Sequence, residues 1–158
     1  MNRYLLLLVA AILAGCGSAP EPEKKAEAPA VPPPVAAVKD HSAAMPPEGL
    51  KSSEVVANHI LGKAEMPGGT LGSYEAKGKK YQQFIIDVDD NQKAAFLLLD
   101  FKKTLKDPDY IDYMGGYFGN DGTQDVYVFA KLHYLAGVVG LGKAQADPIA
   151  RVLASHLH

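Results

Sequence analysis

The sequence KYQQFIIDV at residues 80–88, followed directly by DDNQKAAFLLLDFKKTLK at residues 89–106, decides the fold. Side chains of the first segment alternate between two faces, and this period of two predicts a strand. One face is expected to meet the core because it carries more of the large apolar side chains. The residues of that face are Gln82, Phe84, Ile86 and Val88.

The second segment predicts the central core helix, capped by Asp89 or Asp90 and running to about Lys106. Its apolar side chains recur every three or four residues, which places them on one face of a helix. The sequence at residues 107–109, Asp-Pro-Asp, is expected to end this helix. The expected core stripe consists of Ala94, Leu98, Phe101 and Leu105, widened by Phe96, Leu97 and Leu99.

The segments upstream predict a hairpin and a short helix. Residues 70–76 are expected to form a strand that joins the first segment through a turn at Lys77-Gly78. A short helix capped by Ser52 or Ser53 is expected to precede this hairpin.

Downstream, the pattern predicts three strands, at residues 113–118, 126–130 and 134–141, and a final helix with Pro148 in its first turn. Consecutive strands joined by short turns favour an antiparallel sheet. The sequence therefore predicts an α+β fold, with an antiparallel sheet of about five strands and helices packed on one face. This order of elements resembles, in pattern only, a domain found in uncharacterised bacterial secreted proteins and lipoproteins.

The composition changes sharply near residue 50. Eight of the 11 prolines lie between residues 17 and 50, among alanines and charged residues, and such a segment buries too little apolar surface to fold. We call residues 17–50 the tether and expect it to be disordered. A single α+β domain is expected at residues 51–158, so that a chain starting at Lys51 should be as stable as one starting at Gly17.

The N-terminus has the features of a secretory signal peptide. Asn2-Arg3 is followed by an apolar run and then by Leu13-Ala14-Gly15-Cys16. The run is shorter than the roughly 20 residues that a membrane-spanning helix needs. The last four residues resemble the lipobox of bacterial lipoproteins.

This resemblance implies cleavage after residue 15, a diacylglyceryl group and an acyl group such as palmitate on Cys16, and export to the cell envelope. The protein is then expected to contact the membrane through lipidated Cys16, because two or more acyl chains anchor a protein stably. Gly17 stands where Asp usually signals retention in the inner membrane. In a bacterium with two membranes, this favours the outer membrane, on either its periplasmic or its surface-exposed side.

The composition also limits which partners and cofactors are expected for this protein. The chain has a net charge of −2, so it has no basic excess with which to neutralise phosphates, and nucleic acid is not expected as a partner. Cys16 is the only cysteine, and the domain therefore has neither a disulfide nor a thiolate metal site. We expect no cofactor and no bound metal.

No motif in the domain indicates catalysis. The sequence contains no HExxH, no GxSxG and no P-loop. Asp87, Asp89 and Asn91 have the first three spacings of a calcium loop, but Gln92 and Leu98 stand where glycine and glutamate are required. We interpret these residues as a strand end followed by a helix cap. Whether the protein is an enzyme stays open, and we favour a protein without enzymatic activity.

Tyrosine is the enriched aromatic residue, and three tyrosines cluster around the third predicted strand. Tyr110, Tyr113 and Tyr117 form the candidate interaction surface, because amphipathic aromatic side chains are frequent at protein interfaces. The same residues also suit a half-buried strand, and the sequence leaves both interpretations open.

Three functions follow as hypotheses. The first is a lipid-anchored, non-enzymatic interaction or accessory module of the bacterial envelope, with an envelope protein as its partner. The second is a periplasmic carrier of a small ligand, bound between the sheet and the core helix in a pocket lined by tyrosine and phenylalanine. The third is a hydrolase whose acidic residues converge only in the folded protein.

Overall fold

The computed structural model describes residues 37–158. This part of the chain forms seven strands and two α-helices, with 3₁₀ turns at Ser42–Ala44, Ile60–Gly62 and Asp112–Met114. In chain order the elements are β1 (Leu50–Asn58), β2 (Pro67–Ala76), β3 (Lys79–Asp87), α1 (Asn91–Lys103), β4 (Lys106–Ile111), β5 (Gly116–Asn120), β6 (Asp125–Lys131), β7 (Tyr134–Val139) and α2 (Lys143–His156).

All seven strands form one antiparallel sheet in the order β1-β2-β3-β7-β6-β5-β4. The predicted α+β class is confirmed, but the prediction of about five strands is wrong. The helix predicted from Ser52 onward is strand β1, which pairs with β2. The Asp-Pro-Asp sequence expected only to end the core helix lies within β4, where an edge strand tolerates proline.

The helices cover both faces of the sheet, so the prediction that they pack on one face is wrong. Strand β6 shows the reason, because its apolar side chains alternate between two cores. Val126 and Val128 belong to the core that α1 covers, whereas Tyr127 and Phe129 belong to the core that α2 covers. A sheet that is apolar on both faces needs a cover on each. We refer below to the α1 face and the α2 face.

Helix α1 follows the prediction closely at its start and in its core stripe. The Asp90 carboxylate accepts a hydrogen bond from the Lys93 amide (2.9 Å) and caps the helix. Two side chains expected to widen the stripe instead point to solvent, with Phe96 65% and Leu99 46% exposed. The predicted stripe residues that are buried are Ala94, Leu98, Phe101 and Leu105.

Helix α2 begins earlier than predicted. It starts at Lys143 after Gly142, and Pro148 consequently lies inside the helix rather than in its first turn. Without an N–H group, Pro148 cannot bond to the carbonyl four residues before it. The small side chains Ala146 and Ala150 let this helix lie close to the sheet.

The predicted turns between neighbouring strands are confirmed. Lys77 and Gly78 both have positive φ (51° and 74°), which is the backbone of a two-residue hairpin turn. The turn at residues 131–133 joins β6 to β7, with Leu132 at φ 52°. The strand predicted at residues 113–118 is only partly correct, because β5 begins at Gly116 after a 3₁₀ turn.

The folded chain begins before the boundary expected at Lys51. Met45 is only 3% exposed and packs in the core of the α2 face. The hydroxyl of buried Tyr74 donates to the Pro46 carbonyl (3.0 Å), and the His41 amide donates to Thr70 Oγ1 (2.8 Å). The last part of the predicted tether therefore belongs to the fold, because it covers apolar surface that the sheet leaves open.

Candidate functional site

The predicted tyrosine surface divides between the two faces of the sheet. Tyr110 and Tyr117 face each other across β4 and β5, with ring centroids 5.3 Å apart. Lys102 of α1 places its ammonium 4.8 Å from the Tyr117 ring, so this pair lies on the α1 face. Tyr110 is exposed and Tyr117 is half-buried.

Tyr113 contacts the other helix. Its hydroxyl donates to the Asp147 carboxylate, and the Arg151 guanidinium lies 4.6 Å from its ring. Both partners belong to α2, so Tyr113 lies on the α2 face. The three tyrosines therefore do not form one continuous surface.

Asp147 is the centre of a polar contact between α2 and the sheet. Buried Tyr127 also donates to its carboxylate (2.9 Å), and Arg151 pairs with it at 2.9 Å. Burial raises the pKa of Asp147, but the hydroxyls of Tyr113 and Tyr127 and the charge of Arg151 outweigh burial and hold the pKa below its usual range. A carboxylate that is ionised and fully bonded in this way stabilises the helix–sheet contact.

A second polar cluster surrounds Asp87, the first residue of the apparent calcium spacing. Its buried carboxylate accepts from Lys39 (3.2 Å) and from the Asp89 amide (2.9 Å), and it lies 3.1 Å from His41 Nε2. Burial raises the pKa of Asp87, yet the Asp89 amide and the Lys39 ammonium lower it by more, and the net pKa lies below its ordinary value.

This cluster ties the N-terminal segment to the end of β3. Its carboxylate is occupied by a cation and by hydrogen bonds, and Asp90 caps the helix. Across residues 37–158, no group of three or more His, Cys, Asp or Glu side chains is placed to hold a metal ion. The strand-end and helix-cap interpretation accounts for the spacing. Sequence reasoning did not connect His41 with Asp87, because the two residues lie far apart in the chain.

A third carboxylate, Asp121, is paired with Lys63 at 2.9 Å, and both side chains are largely buried. Burial raises the pKa of Asp121, but Lys63 and the amides of Gln124 and Thr123 outweigh it and lower the pKa to about 2. Lys63 also lies 5.3 Å from the Phe101 ring. This ion pair fixes the β1–β2 connection to the turn between β5 and β6.

The two edges of the sheet differ in how they are protected against pairing with another strand. β4 has six residues, contains Pro108, shifts register between Lys106 and Asp109, and carries several charges. Lys143 of α2 forms an exposed ion pair with Asp109 of this strand. Proline, irregular register and charge are the features by which proteins block an edge strand.

The opposite edge, β1, lacks most of this protection. It has nine residues without proline, and all of them are exposed except Leu50 and Val56, which are half-buried. Val55, a residue typical of strands, is 44% exposed. Its only charges are Lys51 and Glu54, and its one register shift lies near its start. Among the described strands, β1 is the one that offers a long free edge.

The hairpin geometry shows which backbone groups of β1 are free. The two-residue turn makes Ala76 and Lys79 a hydrogen-bonded pair, so alternate residues of β2 bond to β3 and the residues between them bond to β1. The Glu75 amide accordingly donates to the Gly49 carbonyl (2.9 Å). The N–H and C=O groups of Ser53 and Val55 therefore point away from β2.

Sequence reasoning missed this edge because a helix was predicted there. The signal available was weak: two adjacent valines between polar residues fit one helical turn as well as a strand. Cys16, the predicted lipidation site, lies outside the described residues.

A shallow groove on the α1 face lies beside the exposed side chains of α1. It has a volume of about 700 Å³ and is open to solvent; its lining residues are Phe96, Leu99, Asp100, Lys102, Lys103, Leu105 and Pro108.

None of the helices within residues 37–158 combines the length and apolar character required to cross a membrane. Comparison with protein-family models, with curated proteins and with solved structures finds no match to this chain.

Proposed function

We propose that this chain is a lipid-anchored, non-enzymatic interaction module of the bacterial envelope, and that β1 is the strand that binds its partner. The observation that carries the proposal is the contrast between the two sheet edges. β4 is protected by Pro108, by irregular register and by its charged side chains. β1 exposes free backbone groups over a long, regular stretch.

The partner segment best suited to this edge is an extended peptide that adds as an eighth strand. Backbone hydrogen bonds to Ser53 and Val55 would supply much of the affinity, as they do when peptides add to exposed sheet edges. The exposed Val55 side chain on one face and Glu54 on the other would contact alternate side chains of the peptide.

The anchor supports a role at the membrane. Lipidation of Cys16 would hold the domain at the membrane surface, in the outer membrane where the bacterium has two. The residues between Cys16 and the fold, rich in proline and alanine, would give the domain reach toward an envelope partner.

The hydrolase alternative receives no support from the carboxylates of the fold. A general acid or base needs a carboxyl group that is free to exchange a proton at the site of reaction. The buried carboxylates of Asp87 and Asp121 and the half-buried carboxylate of Asp147 are each paired with a cation. Their lowered pKa values keep them ionised in structural roles.

Photo-crosslinking in the native envelope tests the proposal. A photo-reactive amino acid is placed at Glu54 on β1 or, for comparison, at Tyr110 on the opposite edge of the sheet. We expect one defined partner band from position 54 and none from position 110. A band from position 110 alone would overturn the assignment to β1 and would return the interaction to the predicted tyrosine surface.

A matched pair of variants tests the hydrogen-bonding mode. Ser53→Pro removes one outward N–H group and leaves the β1–β2 ladder intact, whereas Ser53→Thr keeps the N–H group in a good strand former. We expect the position-54 crosslink to be lost in the proline variant and retained in the threonine variant. Equal crosslinking of both variants, with equal thermal stability, would exclude strand addition at β1.

A further inference from the structure

Glu54 is the one charged side chain in the regular part of the β1 edge. Strand β1 pairs with β2 in a constant register from Ser52 onward, and Glu54 lies opposite Leu71 on the α1 face. Its neighbours on the same face of β1, Ser52 and Val56, carry no charge. Glu54 is exposed, and within residues 37–158 its carboxylate forms no ion pair. The free edge therefore presents a negative charge that its own fold does not neutralise.

The free backbone groups of β1 restrict how a second copy of the chain could pair with this edge. Two β1 edges related by a two-fold axis run antiparallel, and only residues whose N–H and C=O groups point outward can form hydrogen-bonded pairs. Three registers use the outward groups of Ser53 and Val55 in this way. They place Ser53 opposite Val55 of the second copy, Ser53 opposite Ser53, or Val55 opposite Val55.

Each of these registers brings the two Glu54 carboxylates together. In the first register, Glu54 lies directly opposite Glu54 of the second copy, with Cβ atoms about 5 Å apart. In the other two registers, the second Glu54 is the diagonal neighbour at about 7–8 Å, still within reach of long side chains. Lys51, the other charged residue of β1, is opposite Glu54 in none of them. Repulsion between like charges therefore disfavours the pairing of two copies.

The same geometry specifies the strand that fits this edge. An added antiparallel strand that bonds to Ser53 and Val55 places one side chain opposite Glu54 on the α1 face and the next one opposite Val55 on the α2 face. A pair of opposite charges across two strands is stabilising. Exposed Val55 continues the row of Thr70 and Ile85 to the edge, so an apolar side chain opposite it would be partly buried.

We infer that Glu54 selects the partner of β1: it disfavours a second copy of this chain and favours an extended segment with a lysine or arginine opposite Glu54 and an apolar side chain opposite Val55. The inference rests on the proposed function, because it names the chemistry of the strand that β1 binds. Backbone hydrogen bonds are common to all added strands, so the charge at Glu54 is what distinguishes one strand from another.

A charge exchange within the chain itself tests this inference. Glu54→Lys turns the β1 edge into a strand with a lysine at the selected position, and this variant is the probe for the unmodified chain. We expect an equal mixture of the two chains to associate about two- to thirtyfold more tightly than either chain alone, because an opposite-charge pair replaces a like-charge pair. Analytical ultracentrifugation measures the association, and NMR shifts of the Ser53 and Val55 amide signals locate it.

A neutral variant and a matched control complete this experiment. Glu54→Thr removes the repulsion and should self-associate more strongly than the unmodified chain, since threonine also favours strands. Glu65→Thr removes an exposed carboxylate from the β1–β2 connection and should behave as the unmodified chain does. A mixture that associates no more tightly than the separate chains, shifts confined to other residues, or equal self-association of Glu54→Thr and the unmodified chain would each overturn the inference.

Crosslinking in the native envelope separates this inference from the proposed function. A photo-reactive amino acid at Ser52, beside Glu54 on the same face, should give a partner band that is weakened in Glu54→Lys and unchanged in Glu65→Lys. An unchanged band in Glu54→Lys, or a band with the mass of two copies of the chain, would overturn the selection by Glu54 and leave β1 as the binding strand. Absence of any band from the unmodified chain would contradict the proposed function and the inference with it.

Discussion

At the scale of single residues, the burial of a side chain depends more on which elements pack against it than on whether it is polar. Gln82 lies on the face of β3 predicted to meet the core and is half-buried, whereas Gln83 on the other face is almost completely buried. Both faces of the sheet are covered by helices, so Gln83, whose side chain lies on the α2 face, is also buried. The sequence could not show this, because alternation identifies two faces and does not show whether one or both are covered.

The Asp121–Lys63 pair makes a prediction about pH at this scale. The pKa of Asp121 falls from 3.8 to about 2 on folding, so the stabilisation is complete above pH 3.8 and is lost as the pH falls through about 2. At pH 7, Asp121→Asn should lower the free energy of unfolding by about 2 kcal/mol, since each pKa unit corresponds to about 1.4 kcal/mol. Urea unfolding between pH 2 and pH 7 measures the difference.

The control is Asp100→Asn, which alters an exposed i,i+3 pair with Lys103 and should change stability by less than about 0.5 kcal/mol. The difference between Asp121→Asn and the unmodified chain should shrink below pH 4. A difference that stays constant across the whole range would show that Asp121 acts through its shape and not through its charge.

At the scale of secondary-structure elements, length and periodicity decided how well the sequence predicted the outcome. The start and the buried core stripe of helix α1 were predicted correctly because 13 residues give several repeats of the helical period, although the helix ends at Lys103 and not near Lys106. The segment that forms β1 was predicted as a helix from Val55, Val56, His59 and Ile60, which give only one repeat of the helical period. Pairing with β2 determines the strand, and that pairing is a tertiary interaction.

Adjacent leucines of α1 provide the sharpest test at this scale. Leu98 packs in the core of the α1 face, whereas Leu99 is 46% exposed. Leu98→Ala should lower the free energy of unfolding by about 2–5 kcal/mol through lost burial and the cavity left behind. Leu99→Ala, the same chemical change one residue later, should cost less than about 1 kcal/mol.

Denaturant unfolding of both variants measures this difference. Phe101→Ala should resemble Leu98→Ala, because the Phe101 ring is buried and stacks 5.9 Å from Phe84. Lys103→Ala should be close to neutral, as changes at exposed positions usually are. Equal costs at positions 98 and 99 would mean that the rotation of α1 on the sheet differs from the one described.

At the scale of the whole molecule, the main correction to the sequence-based prediction is the residue at which the folded domain begins. A chain starting at Lys51 was expected to lose no stability, but it would lack Met45 and the carbonyl that accepts from Tyr74. Burial of a methionine contributes about 1.5–3 kcal/mol, and an orphaned buried hydroxyl costs a further 1–3 kcal/mol or so. We now expect this chain to be less stable by at least about 2 kcal/mol.

Three chains test the boundary by urea unfolding. The chains starting at Gly17 and at Ala37 should have the same free energy of unfolding, and only the chain starting at Lys51 should be weaker. Equal stability of all three would show that the segment around Met45 contributes nothing. A loss already present in the chain that starts at Ala37 would place the boundary further toward the N-terminus.

Anchoring is a separate prediction for the whole molecule. Cys16→Ser removes the thiol that would carry the lipid, and the variant should lose metabolic labelling with palmitate and leave the membrane fraction. Fractionation of bacteria expressing the two forms measures this. Gly17→Ser keeps the cysteine and should fractionate with the unmodified protein. Normal processing and membrane association of Cys16→Ser would contradict the lipoprotein prediction.

The sequence by itself determined the local features of this protein: the core helix with an aspartate cap at residue 89 or 90, the hairpin at Lys77-Gly78 and the α+β class. Each follows from hydrophobic periodicity or backbone preference within a short segment. Only the tertiary structure decided the rest, namely that β1 is a strand, that both faces of the sheet are covered and that Gln83 is buried. These outcomes depend on which segments meet across the sheet, and hydrogen bonding and burial between distant segments leave no period in the sequence.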